Sequence, residues 1–349
     1  MAKRQYEVWK GNNIFIFGGR FMFGPDAKSL IITLLLIIVP VIIFCANVAR
    51  NLISEISGII AGYAILMVTV VFTVYVLLVL LLTSARDPGI VPRNLHPPTE
   101  EICYDSSASV DAVGRQTPTP RLPPTKEVIV NGVPVRVKYC NSCRLYRPPR
   151  CSHCSVCDNC VERFDHHCPW VGQCIGMRNY RSFFLFISSS TVLCIFIFAM
   201  SALNIKFLMA DLGTVWKAMK ESPLSVVLMV YCFIFLWFVG GLTCFHLYLI
   251  GTNQTTYETF RYRGLERRPR VYDRGCLNNF REVLCSKIKP SRNSFRAYVQ
   301  ENGRGATSGM TSEAYLGDSV ENRREKVEDD REIGGDLLKI SQRREAEDT

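Results

Sequence analysis

Charged side chains are missing from four long stretches of this 349-residue chain, each 21 to 26 residues long. The hydrocarbon core of a bilayer is about 30 Å thick, and an apolar helix of roughly 20 residues crosses it. Four such runs are too many for one soluble core, and the first is too long for a signal peptide and lacks a convincing cleavage site. We therefore predict an α-helical polytopic membrane protein whose four transmembrane helices are Ser29–Ala49, Ile59–Thr83, Phe183–Leu203 and Ser225–Ile250.

Lysine and arginine are scarce in two of the connecting loops and abundant in the other segments. Residues 50–58 contain one basic side chain and residues 204–224 contain three, whereas residues 84–182 contain thirteen and residues 261–296 contain eleven. Because these residues accumulate on the cytoplasmic side of membrane proteins, both termini and the central segment are predicted to be cytosolic. The net charge of +10 is then explained by topology and by attraction to anionic lipids, and it does not indicate nucleic-acid binding.

The apolar runs set the boundaries of the predicted segments. Asn131-Gly132 lies between two β-branched runs and predicts a hairpin, in which Pro134 needs an edge position. Residues 299–349 are rich in charged and poor in aromatic side chains, which predicts disorder. In order, we predict a cytosolic juxtamembrane N-terminus (1–28), transmembrane helices 1 and 2 (29–83), a linker with a short hairpin (84–137), a cysteine-rich zinc domain (138–182), transmembrane helices 3 and 4 (183–250), a cytosolic C-terminal element (251–298) and a disordered tail (299–349).

Cysteine is concentrated between Cys140 and Cys174, in the segment predicted to be cytosolic, where eight of the fifteen lie. A reducing cytosol disfavours structural disulfides and favours metal binding or catalysis. Two thiolates two residues apart can share a tetrahedral zinc ion, which pairs Cys140 with Cys143 and Cys154 with Cys157. Two structural zinc sites take eight ligands, so three of the eleven candidates are spare, and spacing alone leaves their identity open. The candidates are Cys140, Cys143, Cys151, His153, Cys154, Cys157, Cys160, His166, His167, Cys168 and Cys174.

The segment from Cys140 to Cys174, with its run Asp165-His166-His167-Cys168, resembles the cysteine-rich domain of the DHHC protein S-acyltransferases. The N-terminal stretches "EVWKGNN" and "GGRFMFGPD" look most like plant members, and the resemblance covers residues 1–298. It implies two structural zinc ions and leaves His166, Cys168 and Cys151 unligated, with no role for Cys151. The implied ligand sets are Cys140, Cys143, His153 and Cys160 for one zinc, and Cys154, Cys157, His167 and Cys174 for the other.

The same resemblance implies covalent catalysis by Cys168. A thiol reacts as its thiolate, a neighbouring histidine can take the proton, and a carboxylate can orient that histidine. His166 and Asp165 are the expected base and orienting group, and the two zinc sites are expected to bend the backbone so that these neighbours face each other. The expected reaction transfers a palmitoyl or similar long-chain acyl group from acyl-CoA to Cys168 and then to membrane-proximal cysteines of membrane-associated proteins.

Burial of the acyl chain among the membrane helices is expected to stabilise it by about 0.8 kcal/mol per CH₂. Arg147 and Arg150 are expected to contact the phosphates of coenzyme A, because guanidinium groups bind phosphate well. The expected partners are therefore the lipid bilayer, acyl-CoA and substrate proteins, without nucleic acid. Family analogy places the protein in endomembranes such as the Golgi, or in the plasma membrane.

Short motifs at two membrane exits match the order found in the family. Asp87 begins an Asp-Pro-Gly turn after the second run, and Thr256 lies after the fourth. The resemblance implies that Thr256 hydrogen-bonds Asp165 and that Asn279 caps backbone groups near the site. His246, a lone histidine near the end of the fourth run, is expected to snorkel or to cap the helix.

The main alternative is a membrane-tethered zinc-finger adaptor, such as a RING-like ubiquitin ligase. In that case Cys168 and His166 would be ligands or incidental. A RING-type pair of sites uses eight ligands and leaves no ordered Asp-His-x-Cys remainder, so the count favours the enzyme. A transporter is disfavoured because the membrane runs contain neither charged nor broken helices.

Overall fold

The computed structural model describes residues 2–55, 59–98, 123–261 and 270–299 of the protein. Residues 99–122 of the predicted linker and residues 300–349 of the predicted disordered tail lie outside the described residues. Residues up to Tyr298 belong to one compact unit.

Four helices in the described part of the chain are long and apolar enough to cross a membrane, which confirms the predicted number. They are apolar on nearly every face, as expected where lipid surrounds a helix. The first comprises α1 (Ser29–Ile43), a π-helical stretch (Phe44–Ala49) and α2 (Arg50–Glu55); the second is α3 (Ile59–Ser84); the third is α4 (Tyr180–Leu212); and after the short α5 (Val215–Glu221) the fourth comprises α6 (Pro223–Phe235), a π-helical stretch (Leu236–Gly240) and α7 (Gly241–Gly251).

The third membrane helix begins three residues before the predicted apolar run. The Asn179 side chain accepts a hydrogen bond from the Gly176 amide and donates to the carbonyls of Cys174 and Thr83, which fixes the chain at the entrance to α4. The helix ends at Leu212, and the φ of +77° at Gly213 suits the left-handed C-terminal cap that glycine provides. The cysteine-rich segment therefore runs directly into this helix.

The predicted hairpin lies just before the cysteine-rich segment. Strand β3 (Thr125–Val130) pairs with β4 (Val133–Cys140), and β4 then pairs with the short β5 (Leu145–Tyr146). Both turn residues, Asn131 and Gly132, have positive φ, as a two-residue hairpin loop requires. Pro134 pairs with Ile129 of β3, whereas β5 pairs only with Tyr139 and Cys140 at the end of β4. The side of β4 opposite β3 is therefore an open edge at Pro134, where the absence of an N–H leaves no partner strand unsatisfied.

The cysteine-rich segment consists mainly of two small hairpins with little apolar core of their own. Strands β6 (Ser152–Cys154) and β7 (Asn159–Val161) form the first, and β8 (His166–Cys168) and β9 (Gln173–Ile175) form the second. Buried cysteines from both hairpins pack with only a few aliphatic and aromatic side chains. Strands this short need an additional constraint to be stable.

The N-terminal segment packs against this cysteine-rich segment. After a short 3₁₀-helix (Gln5–Val8), strands β1 (Ile14–Ile16) and β2 (Phe21–Phe23) form a hairpin. The Asn12 amide donates to the Cys157 carbonyl, and the buried Gln173 side chain donates to the Met22 carbonyl. Residues that precede the first membrane helix thus hold the segment that precedes the third.

Asp87 fastens three separate parts of the chain together. One carboxylate oxygen accepts from the amides of Gly89 and Ile90, which closes the Asp-Pro-Gly turn. The other accepts from Arg178, just before α4, and from Ser291, at 2.8 and 2.6 Å.

Near the C-terminus of the described unit, α8 (Thr256–Arg261) and α9 (Cys276–Cys285) follow the fourth membrane helix.

The close approach of the N-terminal segment depends on a glycine. A Cβ at Gly24 would overlap the backbone carbonyl of Gly172, so Gly24→Ala must push the two segments apart. We expect this substitution to lower the free energy of unfolding by about 1–3 kcal/mol, the usual cost of overpacking. Thermal unfolding of the detergent-purified protein measures the change. Gly241→Ala is the control, since a Cβ there meets nothing within 4 Å, and equal unfolding midpoints for both variants would contradict the expectation.

Candidate active site

Eight cysteine and histidine side chains form two compact clusters. In each cluster one donor atom from each of four residues lies within 4.8 Å of the others. The first cluster contains Cys140, Cys143, His153 and Cys160, and the second contains Cys154, Cys157, His167 and Cys174. These are the two sets that the family resemblance implies. All six cysteines are buried.

The spacing within the clusters fits tetrahedral zinc. With Zn–S near 2.3 Å and Zn–N near 2.0 Å, the ligand atoms of a tetrahedral site lie roughly 3.5–3.8 Å apart. In the second cluster the His167 Nδ1 lies 3.4 Å from the Cys157 Sγ and 3.5 Å from the Cys174 Sγ. In the first, the His153 Nδ1 lies 3.6 Å from the Cys143 Sγ. Each cluster therefore has the donors and the geometry of a closed structural zinc site.

Both histidines present Nδ1 to their cluster and have a carboxylate near Nε2. The Nε2 of His167 lies 2.9 Å from an oxygen of Asp26, and the Nε2 of His153 lies 3.5 Å from an oxygen of Asp158. Carboxylates at this position orient a metal-ligating imidazole and raise its basicity. No sequence pattern pointed to Asp26, which is 141 positions from His167 and lies just before the first membrane helix.

Strand β8 explains how adjacent residues perform different tasks. Successive side chains of an extended strand point to opposite faces. His167 faces the second cluster, whereas His166 and Cys168, two residues apart, share the other face. The expected bend in the backbone is therefore wrong, because an extended strand already brings the two spare side chains together. Cys151, the third residue outside the clusters, contacts Cys160 of the first.

A chain of hydrogen bonds connects the spare side chains to α8. The His166 Nδ1 donates to Asp165 at 2.6 Å. Asp165 is only 1% exposed, and it also accepts from the hydroxyl of Thr256 at 2.8 Å and from its amide at 2.9 Å. The Cys168 thiol lies close enough to His166 to help raise the pKa of the imidazole. This order of carboxylate, imidazole and thiol is typical of an activated cysteine nucleophile.

The electrostatics of this chain favour proton acceptance by His166. Burial lowers the pKa of His166, but hydrogen bonds with Asp165 and Cys168 outweigh burial and raise the pKa to about 9. Burial likewise raises the pKa of Asp165, but the hydrogen bond from His166 and the nearby imidazoles keep that pKa below its usual value. Asp165 is therefore an anion, and His166 is a strong base toward the thiol.

An apolar cavity of about 520 Å³ extends from Cys168 among the membrane helices. Its walls come from α1, α4 and α6, together with the π-helical stretch before α7. The Thr33 hydroxyl donates to the Trp170 carbonyl at 2.7 Å and attaches the loop after Cys168 to α1. Side chains of this lining include Ile37, Phe183, Phe186, Ile187, Leu193, Cys232 and Phe235. A cavity of this kind suits a long hydrocarbon chain.

A polar cleft of about 420 Å³ lies beside α8 and contains both arginines predicted to contact phosphate. Arg147 lines the cleft, and its buried Nε has no hydrogen-bond partner among the described residues. Arg150 instead has internal partners. Its guanidinium makes two 2.8 Å hydrogen bonds to Glu258 and two more to Asn253, and it stacks on Tyr272. The observed partners favour a structural role for Arg150.

Two polar residues of the C-terminal half have hydrogen-bond partners within the fold. The buried Asn279 donates to the carbonyl of Gly251, the last residue of α7, and accepts from the Arg274 amide. His246 is only 1% exposed, so it neither snorkels nor caps a helix end, and the expectation for it is wrong. Its Nδ1 lies 2.9 Å from the Tyr180 hydroxyl instead.

Comparison with known proteins agrees with these features. The family model described as DHHC palmitoyltransferase matches residues 135–263. Protein S-acyltransferase 8 of Arabidopsis thaliana is 63% identical over 352 residues, which span 100% of this chain and 86% of that protein. Probable protein S-acyltransferase 9 of the same plant is 61% identical and covers 98% of this chain and 83% of its own length. Probable protein S-acyltransferase 6 is 51% identical over 95% of this chain and 78% of its own.

The contact between Asp26 and His167 predicts that the N-terminal segment stabilises one metal site. Loss of such a carboxylate typically weakens metal binding 10- to 100-fold, and we expect about 10-fold for Asp26→Ala because the Asp26 side chain is 41% exposed. Zinc release to a chelator should then show one fast and one unchanged phase. Asp211→Ala, which removes an exposed carboxylate at the end of α4, is the control. Identical release curves for wild type and Asp26→Ala would contradict the role.

Proposed function

The chain belongs to the DHHC palmitoyltransferase family, and we propose that Cys168 is the residue that carries the acyl group during transfer. The protein is a plant-type S-acyltransferase that transfers palmitoyl groups to protein cysteines. The observation that carries our assignment is the position of Cys168, which lines the apolar cavity and lies on the same face of β8 as His166.

In the first step, His166 takes the proton of the Cys168 thiol, and the thiolate attacks the carbonyl carbon of the acyl-CoA thioester. The new S–C bond forms as the bond to the coenzyme A sulfur breaks, and His166 returns the proton to that sulfur. Asp165 stays ionised and holds the imidazole with Nε2 toward the thiol. Thr256 donates two hydrogen bonds to Asp165 and restricts its rotation.

In the second step, a cysteine of the substrate protein replaces coenzyme A. His166 accepts its proton, the substrate thiolate attacks the acyl carbon, and the thiol of Cys168 is restored. The recipient cysteine must reach the edge of the apolar cavity, so we propose membrane-proximal cysteines as the acceptors. The bilayer and membrane-associated proteins are the partners that we propose.

Zinc in the two clusters would supply structural stability without direct chemistry. Each cluster already provides four protein ligands, so no coordination position is left for the substrate. His167 lies between the proposed base and the proposed nucleophile on β8. Ligation of His167 would therefore fix the strand on which both catalytic side chains stand.

Long-chain acyl-CoA is the proposed donor. The apolar cavity would hold the hydrocarbon chain, with about 0.8 kcal/mol of stabilisation for each CH₂ removed from water. The polar cleft beside α8 would hold the phosphates, with Arg147 as the contact we favour. Arg150 would support the cleft through its bonds to Glu258 and Asn253 rather than bind phosphate itself.

The distribution of basic residues supports a cytosolic site. By the positive-inside rule, the termini and the cysteine-rich domain would face the cytosol, where acyl-CoA is made available. We propose endomembranes such as the Golgi, or the plasma membrane, as the location. A zinc-finger adaptor is the less favoured function, because His166 and Cys168 stand outside both four-ligand clusters.

The nucleophile assignment predicts a clean separation between zinc content and acylation. Cys168→Ser should keep about two zinc ions per chain and lose the hydroxylamine-sensitive label that long-chain acyl-CoA leaves on the protein. Metal analysis and a labelled acyl-CoA assay on the purified protein measure both quantities. Cys285→Ser, which changes an exposed cysteine of α9, should retain zinc and label. Zinc loss in Cys168→Ser would instead identify Cys168 as a ligand and overturn the assignment.

The two arginines of the cleft should respond differently to charge reversal. Arg147→Glu should raise the KM for acyl-CoA with little change in thermal stability, because Arg147 lines the cleft and its Nε has no hydrogen-bond partner among the described residues. Arg150→Glu should lower the free energy of unfolding by about 2–4 kcal/mol, because it leaves the partly buried Glu258 without its cation. Lys217→Glu, on α5 at the far end of α4, is the control. An unchanged KM in Arg147→Glu would exclude the phosphate contact.

A further inference from the structure

His246 and Tyr180 form a buried polar pair that the proposed mechanism does not use. Tyr180 is the first residue of α4, and His246 lies in α7, so the hydrogen bond between them joins the third and fourth membrane helices. Tyr180 is 5% exposed and His246 is 1% exposed. Burial of a polar pair among membrane helices costs free energy, so such groups are functional candidates by default.

The pair adjoins the Asp165–His166 hydrogen bond. A ring nitrogen of His246 lies within 4.8 Å of a carboxylate oxygen of Asp165 and of a ring nitrogen of His166. The imidazole rings of His246 and His166 are 6.1 Å apart between centroids. No lipid-facing or solvent-facing function suits a side chain in this position.

Phe183 fills the angle between the two imidazoles. Its ring meets His166 edge-on at 5.2 Å and His246 edge-on at 5.1 Å, with interplanar angles of 70° and 75°. Phe183 also lines the apolar cavity. Phe183 therefore packs against both imidazoles at once, so that a rotation of His166 toward Phe183 is resisted by the packing of Phe183 on His246.

The hydrogen bond between Tyr180 and His246 also orients the His246 imidazole. The Tyr180 hydroxyl oxygen lies 2.9 Å from the His246 Nδ1, which holds this ring in one orientation beside the buried Asp165 carboxylate. Arg163, whose guanidinium lies over the Tyr180 ring at 5.7 Å, restricts the phenol further.

We propose that His246, held by Tyr180, is a positioning residue that keeps the His166 imidazole aligned between Asp165 and Cys168. His246 touches neither the acyl group nor coenzyme A, and it acts through Phe183 and the Asp165–His166 pair. The role rests on the proposed function, since it presupposes that His166 serves Cys168 as base. It gives the membrane helices, and not only the zinc clusters, a part in orienting the catalytic side chains.

Single-turnover acylation of the full-length protein at several acyl-CoA concentrations tests this role. His246→Leu keeps the volume but removes the polar contacts, and we expect the saturating rate to fall about 10-fold or more, while half-saturation by acyl-CoA and zinc content stay unchanged. His246→Gln keeps a donor and an acceptor and should restore the rate to within about three-fold of wild type. Tyr180→Phe should give an intermediate loss.

A double substitution tests whether His246 acts through Asp165. Once Asp165→Asn has weakened the alignment of His166, adding His246→Leu should lower the residual rate by less than about two-fold, because both substitutions remove the same constraint. Independent action would give the full loss again. That multiplicative result would overturn the proposal.

Thr243→Val is the matched control, because Thr243 lies one turn earlier in α7 and bonds Thr191 of α4 at 2.9 Å. It removes an interhelical hydrogen bond without touching His166, and it should leave the rate unchanged. An equal loss in Thr243→Val, a fully active His246→Leu, or a shift in half-saturation alone would each contradict the positioning role. Absence of label on wild-type Cys168 would instead contradict the proposed function, and the role with it.

Discussion

The alternation of side chains along three residues of β8 underlies the whole site. Because β8 is extended, His167 turns toward one four-ligand cluster while His166 and Cys168 turn the opposite way. A helix in this position would scatter the three side chains around its axis, and an irregular loop would leave them free to rotate. The strand is only three residues long, so its conformation depends on what holds its two faces. Metal ligation would hold one face, and the buried Asp165 holds the other.

The surroundings of β8 come from distant parts of the sequence. Gln173 and Asp26 tie the second hairpin to the N-terminal segment, and Thr256 reaches Asp165 from beyond the fourth membrane helix. Asp87 adds a further connection between the end of the second helix and the start of the third. A small domain without a substantial apolar core is thus stabilised by polar contacts to its membrane scaffold as well as by its ligand clusters. The division into a zinc domain and a membrane domain is useful for description, but the contacts cross it repeatedly.

The features that the sequence predicted well are those with a local signal. A run of more than twenty residues without charge has few alternatives to a membrane helix, and Asn131-Gly132 between β-branched runs selects a tight hairpin. Ligand pairs two residues apart are equally local. The grouping of the remaining ligands came from the family resemblance, because spacing alone could not choose among eleven candidates. Contacts over long separations had no such signal: Arg150 was expected on phosphate, yet its partner Glu258 is 108 positions away. His246 was misjudged because its position near a helix end suggested water, whereas the packing of α4 against α7 excludes water.

The hydrogen bonds from Thr256 to Asp165 have a consequence for the order of events during synthesis of the protein. Thr256 follows Asp165 by 91 positions, and two membrane helices separate them in the chain. When the cysteine-rich segment has just emerged from the ribosome, Thr256, which donates to the Asp165 carboxylate, has therefore not yet been synthesised. During this interval Asp165 lacks its partner Thr256, so the arrangement of Asp165, His166 and Cys168 is incomplete. Insertion of the third and fourth helices would then act as a checkpoint, so that a nascent or truncated chain does not yet possess a working thiol.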